Sequence, residues 1–353
     1  MASLLEARHL TKVFGGGLFG RKSTTTAVDD FSLTINDSPP SITAIVGESG
    51  SGKTTLARLL LGLTVPTLGE VRYGGKNVRS LTSVERKAFL RDVQVVFQDP
   101  YEVYNPFYKV DHVLEGPIEN FGLAKSPQAA RDLIDQTLRA VGLRPDETLG
   151  RYPHQLSGGQ RQRIMVARAL LLRPRLIIAD EPVSMVDASL RATILDNLQS
   201  LNREFGISII YITHDLTTAY QISENIIVMY RGSVAEAGDV EHVVQDPKHP
   251  YTRLLIGSVP IPDPKQGWKA HQVNPDAGIP AVVGRQGCKF ADRCPHIMAM
   301  CRDKVPVPFQ TEPHRAVACY LYRESSAMLT EDVGKVFVAA PPNPASIGRP
   351  PAG

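Results

Sequence analysis

At 353 residues the chain exceeds one average domain and suits two, or one large domain with an appendage. Its 42% hydrophobic and 21% charged residues are ordinary for a soluble globular protein, and a net charge of +3 is too small to argue by itself for a nucleic-acid partner. No stretch approaches the roughly 18 apolar residues of a spanning helix, and Met1–Arg8 lacks the basic start and long apolar run of a secretion signal, so a membrane role is expected only through a partner.

In chain order, Ile42-Thr43-Ala44-Ile45-Val46 is a short β-branched run that stops at a glycine. Gly47-Glu48-Ser49-Gly50-Ser51-Gly52-Lys53-Thr54 follows it and fits G-x-x-x-x-G-K-S/T in its required place, after a strand and opening a helix through Thr55. Glycines there let backbone N–H groups close around phosphates, and the helix N-terminus favours negative charge. Lys53 is suited to the β- and γ-phosphates of a nucleotide, and the Thr54 hydroxyl to Mg²⁺. The bland alternative is a glycine-rich turn with a solvated lysine; the strand before it and the helix after it argue against that.

Residues 84–170 read differently, with helical stretches around Pro127–Val141 and Gly159–Leu172 and few strand signals; they are expected to form a helical insertion between two halves of a sheet. Leu176–Ala179 and Ile207–Ile212 are again continuous apolar runs, as in strands buried on both faces, with an amphipathic helix at Ser189–Arg203 between them. This alternation gives the fold class as α/β. Asp180 and Glu181 end the first of these runs. Adjacent side chains on a strand point to opposite faces, so the two acids cannot share a task. Asp180 suits the Mg²⁺ shell, and Glu181 suits polarising a water that attacks the γ-phosphorus.

From Asp246 the character changes: Val259–Pro280 is proline-rich and reads as a linker, Cys288–Tyr322 as a small cysteine-bearing unit, and Ala339–Gly353 as a disordered tail. All four cysteines lie in this part, at Cys288, Cys294, Cys301 and Cys319, too widely and unevenly spaced for the common zinc ribbons.

Many protein classes carry a phosphate loop. Leu156-Ser157-Gly158-Gly159-Gln160-Arg161-Gln162-Arg163 narrows the choice, because it resembles the signature motif of ABC ATPases. Other family markers follow in order: Gln98 resembles the Q-loop glutamine, Ser184-Met185-Val186-Asp187 stands where the family has its D-loop, and His214 resembles the switch histidine. Phe14 sits where the family places an aromatic that stacks on adenine. The resemblance implies a RecA-like core with an antiparallel β-subdomain and a helical insertion. It further implies Mg²⁺–ATP as substrate, Gln98 near Mg²⁺ and the attacking water, and His214 at the γ-phosphate. Ser157, Gly158, Gly159 and Gln160 would then cap the ATP held by a second ATPase subunit. One departure is the Met185-Val186 pair, where the family has Ala then Leu.

Beyond the general family, Arg151-Tyr152-Pro153-His154, His249-Pro250-Tyr251-Thr252 and the cysteine-bearing C-terminus resemble the second ATPase of dipeptide and oligopeptide importers. That implies two permease subunits, a homologous sister ATPase or a second copy, an extracytoplasmic solute-binding protein, no nucleic acid, and a peripheral place on the cytoplasmic face of the inner membrane. Related importers carry oligosaccharides, opines or metal chelates, which stay open. A soluble ABC ATPase acting on nucleic acid or ribosomes is the alternative of another class. In some relatives the four thiolates hold a 4Fe–4S cluster; zinc, free thiols and disulfides remain alternatives for Cys288, Cys294, Cys301 and Cys319. The expected organisation is a nucleotide-binding domain over 1–255 with its helical part at about 84–170, a linker and four-cysteine domain over 256–325, and a disordered tail over 326–353. Tyr101, Tyr104, Phe107 and Tyr108 are a candidate groove for a permease helix; the competing reading packs them into the helical insertion's own core.

Overall fold

The computed structural model describes residues 3–15, 24–99, 104–184, 186–259 and 286–338. Tyr101, Met185, the linker 260–285 and the tail 339–353 therefore lie outside the described residues. The chain divides into two compact units: Met1–Asn36, Thr43–Ser80 and Thr213–Ala339 form one, and Leu81–Ile212 with Asp37–Ile42 the core of the other.

In the first unit, β1 (Ser3–Phe14) pairs antiparallel with β2 (Thr25–Asn36) on one side and with β4 (Leu68–Tyr73) on the other, and the two-residue β5 (Lys76–Asn77) closes a four-stranded sheet in the order β2-β1-β4-β5. Its buried side is apolar, with Leu10, Val28 and Phe31 fully buried. Between these strands comes β3 (Ile42–Val46), buried throughout, which a short loop joins to α1 (Lys53–Leu60).

A second set of strands in the same unit begins with β3, parallel to β9 (Asn225–Tyr230), which pairs antiparallel with β10 (Ser233–Asp239). Two short helices precede and follow this hairpin, α8 (Leu216–Ile222) and α9 (Val240–Gln245), and α10 (Pro250–Gly257) comes after. The C-terminal region then extends the strand series: past the short α11 (Met300–Asp303), β12 (Arg315–Val317) pairs with β10, β11 (Phe309–Glu312) with β12, and β13 (Ser326–Ala327) with β11. Residues 326–338, expected to belong to a disordered tail, are ordered instead. A 3-10 helix spans Thr330–Val336 with Val333 and Val336 buried, and Asn225 exchanges two hydrogen bonds with the Val338 backbone. Apolar side chains spaced at three residues explain this order; the nearby Pro/Ala-rich composition masked it.

The second unit is mostly helical: α2 (Ser83–Asp92), α3 (Asp111–Phe121), α4 (Pro127–Ala140), α5 (Pro145–Thr148), α6 (Gly158–Leu171) and α7 (Ala188–Phe205). Thr82 and Glu85 form a capping box on α2, and Ser126 caps α4. Helix α6 buries Ile164, Met165, Val166 and Ala167 in succession, the pattern of a helix enclosed on most sides. Three parallel strands accompany the helices in the order β8-β7-β6: β6 (Val93–Val96), β7 (Leu176–Asp180) and β8 (Ser208–Thr213). Strand β6 lies inside the stretch 84–170, where few strand signals were expected. Four residues directly behind a helix give too short a period-2 signal to stand out, yet Val93 and Val96 are buried.

Candidate nucleotide site

The segment between β3 and α1 is a loop that only glycine permits at its key turns. Gly52 has φ +101, and a Cβ there would lie 2.0 Å from the Ala27 carbonyl oxygen; at Gly47 it would lie 2.2 Å from the Met229 carbonyl oxygen. Gly52 is also the N-cap of α1 and offers no side-chain cap, so the first amides of the helix are left for a ligand. Lys53 is buried, 5% exposed, with its ammonium donating to the carbonyls of Gly47 (2.7 Å) and Glu48 (3.0 Å). Ser49 and Gly50 are exposed at the loop's tip, Ser51 is buried, Thr54 is exposed on the first helical turn and Thr55 is half-buried. A buried ammonium over a ring of amides is an anion site, and the hydroxyl beside it is a hard oxygen donor of the kind Mg²⁺ takes.

Two more expected residues belong to the same unit. Phe14 ends β1, is 46% exposed, and has the Lys12 ammonium over its ring, 5.0 Å from the centre. His214 follows β8 and is exposed; Asp215 behind it caps α8 by accepting from the Thr217 amide (2.9 Å).

The remaining candidates share the second unit. Asp180 is buried, 4% exposed, at the end of β7, and Glu181 follows it with φ +47, a left-handed conformation that costs a non-glycine residue on the order of 1–3 kcal/mol. The Ser184 hydroxyl donates to the Glu181 carbonyl at 2.9 Å and helps hold that turn. Gln98, in the loop after β6, donates from its side-chain amide to the Glu181 carboxylate at 3.1 Å. The two come together because β6 and β7 are neighbouring parallel strands, so their C-terminal loops leave on the same edge.

Ser157 caps α6: its hydroxyl accepts from the Gln160 amide (3.2 Å), while the Gln160 side chain accepts from the Ser157 amide (2.9 Å). Ser157 is exposed and Gly158 half-buried. Gly159 is buried, and a Cβ added to it would meet the Leu190 side chain at 2.7 Å. The helix starts at Gly158, one residue ahead of the Gly159 start that the sequence suggests.

Three residues inside the quoted motifs have supporting tasks that the sequence does not show. Arg161, buried, donates to the carbonyls of Pro153 (2.9 Å) and Leu156 (3.0 Å) and so fixes the approach to Ser157. Gln162 donates to the Phe97 carbonyl at 3.2 Å, tying the same helix to the residue before Gln98. Tyr251 accepts from the Glu48 amide at 2.9 Å. Motif matching had marked their neighbourhoods but not their tasks. Among the aromatic candidates, Tyr104 is buried and donates from its hydroxyl to the Arg161 carbonyl (2.9 Å), so it is a core residue of this unit rather than part of a docking groove. Phe107 and Tyr108 are exposed.

The four cysteines line one small pocket together with His249, Phe290, Met298 and Tyr320. Burial raises the thiol pKa of Cys288, Cys294 and Cys319, the last to about 11, and charge on the other cysteines would raise each further. None is in a disulfide. Among the described residues no group of three or more His, Cys, Asp or Glu is arranged to hold a single metal ion. No helix among them is long and apolar enough to cross a membrane.

Comparisons with known proteins accord with this geometry. Residues 28–184 match the ABC transporter family, and residues 235–301 match the oligopeptide/dipeptide transporter C-terminal region. The ATP-binding protein YkfD of Bacillus subtilis is 41% identical over 91% of this chain and 96% of its own length. The di/tripeptide transport ATP-binding protein DppF of Pseudomonas aeruginosa is 37% identical over 91% of this chain and 98% of its own. The oligopeptide transport ATP-binding protein OppF of Haemophilus influenzae is 37% identical over 90% of this chain and 96% of its own. A dimeric ATP-binding cassette solved in a post-hydrolysis state with ADP and Pi superposes with a TM-score of 0.58 at 28% identity, covering 67% of this chain and 98% of that one. The cbiO1 protein of Clostridium perfringens, part of the ABC transporter complex cbiONQ, gives 0.58 at 25% identity over 70% of this chain and 92% of its own.

Proposed function

The chain belongs to the ABC transporter family of ATP-binding proteins, and from that premise we propose that it is the ATP-hydrolysing subunit of an importer for dipeptides or oligopeptides. It works at the cytoplasmic face of the inner membrane with two permease subunits, a second ATPase and a solute-binding protein, and does not bind the solute itself. The observation that carries this reading is the joint presence of an uncapped phosphate loop at Gly47–Thr54 and a capped, exposed helix start at Ser157, in a chain similar to importer ATPases over nine-tenths of its length. Residues 1–255 form the nucleotide-binding part and the cysteine-bearing region its appendage.

In the reaction, the amides of Gly47–Thr55 and the Lys53 ammonium bind the triphosphate, Lys53 leaving its own loop carbonyls as it does so. Phe14 stacks on the base. The Thr54 hydroxyl and the Asp180 carboxylate are the groups that would hold Mg²⁺, with Gln98 as a further oxygen donor, and the ion would supply charge neutralisation on the phosphates. Glu181, oriented by Gln98, accepts a proton from the water that attacks the γ-phosphorus. The bond to the β-phosphate oxygen breaks, leaving ADP and inorganic phosphate. His214 donates to the γ-phosphate. Ser157, Gly158, Gly159 and Gln160 cap the phosphate bound by the sister subunit, so the intact γ-phosphate joins the two ATPases and its loss releases them.

The cysteine pocket supports a 4Fe–4S cluster as the finer reading, since four thiols converge on one partly enclosed space. Cys288, Cys294, Cys301 and Cys319 would ligate it, and its contribution would be to cross-link a region with little core of its own. Anaerobically purified protein should contain near-stoichiometric iron and sulfide; zinc, or neither element, would refute this. The transport reading is tested by affinity purification from membranes, which should bring down two polytopic proteins and a sister ATPase. Recovery with ribosomes or nucleic acid instead would favour the soluble class.

A further inference from the structure

Residues 288–294 of the cysteine-bearing region touch the phosphate loop directly at Glu48 and reach it at Ser51 through the Arg231–Gly232 turn. On the first side, the Arg293 guanidinium grips the Glu48 carboxylate with two hydrogen bonds, each 3.0 Å, in the parallel fork geometry open to arginine alone. Its central carbon lies 5.8 Å from the Tyr230 ring centre and 5.7 Å from that of Phe290, so two aromatic rings flank the fork. The Glu48 amide donates to the hydroxyl of Tyr251, a fully buried ring packed 4.5 Å from Tyr230 and 5.6 Å from Phe290. Glu48 is thus held by its side chain and its backbone at once.

On the Ser51 side, the Lys289 ammonium donates to the Arg231 carbonyl (2.8 Å) and pairs with Asp29 (2.8 Å). The next residue, Gly232, donates its amide to the Ser51 carbonyl (2.8 Å) and accepts from the Asp29 amide (2.9 Å). Within the loop the Glu48 carbonyl accepts from the Ser51 amide (3.1 Å) and from Lys53 (3.0 Å). The two grips therefore act on Glu48 and Ser51, which are joined to each other through the Glu48 carbonyl, one of the two that hold the phosphate-binding lysine.

We propose that Arg293 and Lys289 are positioning residues for the nucleotide reaction, holding the loop in its binding shape through Glu48 and the Arg231–Gly232 turn. This rests on the reading of Gly47–Thr54 as the ATP site. The cysteine-bearing region then sets ATP affinity without touching ATP.

The test uses the full chain, with equilibrium binding of a fluorescent ATP analogue and Mg²⁺ as the readout and a melting curve beside each titration. Arg293→Ala should weaken binding about five-fold, and Glu48→Gln, which breaks the same pair from the loop side, should do the same. The double variant should be no worse than either single one, because both remove one interaction. Arg293→Lys should recover part of the loss, since it keeps the charge but not the fork. Wild-type affinity in Arg293→Ala and Glu48→Gln, with or without a lower melting temperature, overturns the proposal, as do additive losses. Lys53→Ala separates the two levels. It should abolish binding in every background; if it does not, the ATP-site reading itself fails.

Discussion

The chain starts two helices from Ser/Gly-rich loops, and the two starts are built in opposite ways. At Gly52 there is no side-chain cap, the backbone is left-handed, and a buried lysine rests on the loop's own carbonyls. At Ser157 a reciprocal box with Gln160 already satisfies two backbone amides, and the serine is exposed. The first start leaves its donors for an anion and carries the ammonium to neutralise it. The second is stable unaided and offers a pre-formed surface. An uncapped start is a binding site in its own right; a capped one becomes part of a site when another molecule delivers the phosphate.

The sharpest break in this contrast comes from adding one methyl group to each glycine. Gly52→Ala sets a Cβ against the Ala27 backbone oxygen at 2.0 Å and forces alanine to φ +101, so it should cost about 3 kcal/mol or more and abolish nucleotide binding. Gly159→Ala meets only the end of the Leu190 side chain at 2.7 Å, which can shift, so it should cost no more than about 1–2 kcal/mol and leave nucleotide binding by the single subunit intact. Equal losses in binding would erase the distinction. Next in size, Ser157→Ala removes the cap and should lower stability by about 1 kcal/mol, seen in the denaturation midpoint. Its hydrolysis with the sister subunit should fall while single-subunit binding holds. Smallest is a surface effect on the first unit. The hydrogen bond to Asp30, seconded by Glu331, raises the His9 pKa above 6.5. Its contribution is present in full below pH 6.5 and is lost as pH rises through the raised value. Both partners are over half exposed, so the difference between wild type and His9→Gln should be a few tenths of a kcal/mol at about pH 6 and vanish by about pH 9.

Features written at fixed short spacing were legible in the sequence. The phosphate loop, the acids after β7 and the signature segment each need certain residue types a few positions apart, and the chain places each at the junction its chemistry requires. Strand β6 was not legible, because its four residues follow α2 without a break. Tyr104 looked like an interface aromatic until its hydroxyl found the Arg161 carbonyl, 57 positions away in the chain. The pair between Arg293 and Glu48 spans 245 positions, and no local pattern announces a contact made by the folding of one end of a chain onto the other. The family resemblance marked Gln98 as close to Mg²⁺ and the attacking water; only the parallel pairing of β6 and β7 explains why its side chain meets the Glu181 carboxylate.

We propose that the helix start at Ser157 completes an ATP site on another ATPase. The most direct test of this claim is the mass, by light scattering, of the Glu181→Gln variant mixed with its sister subunit, or with itself, with and without Mg²⁺–ATP. A dimer that forms only with ATP, and is lost on Ser157→Arg although each subunit still binds nucleotide, is the expected result. A variant that binds ATP yet stays monomeric with every candidate sister would contradict the claim.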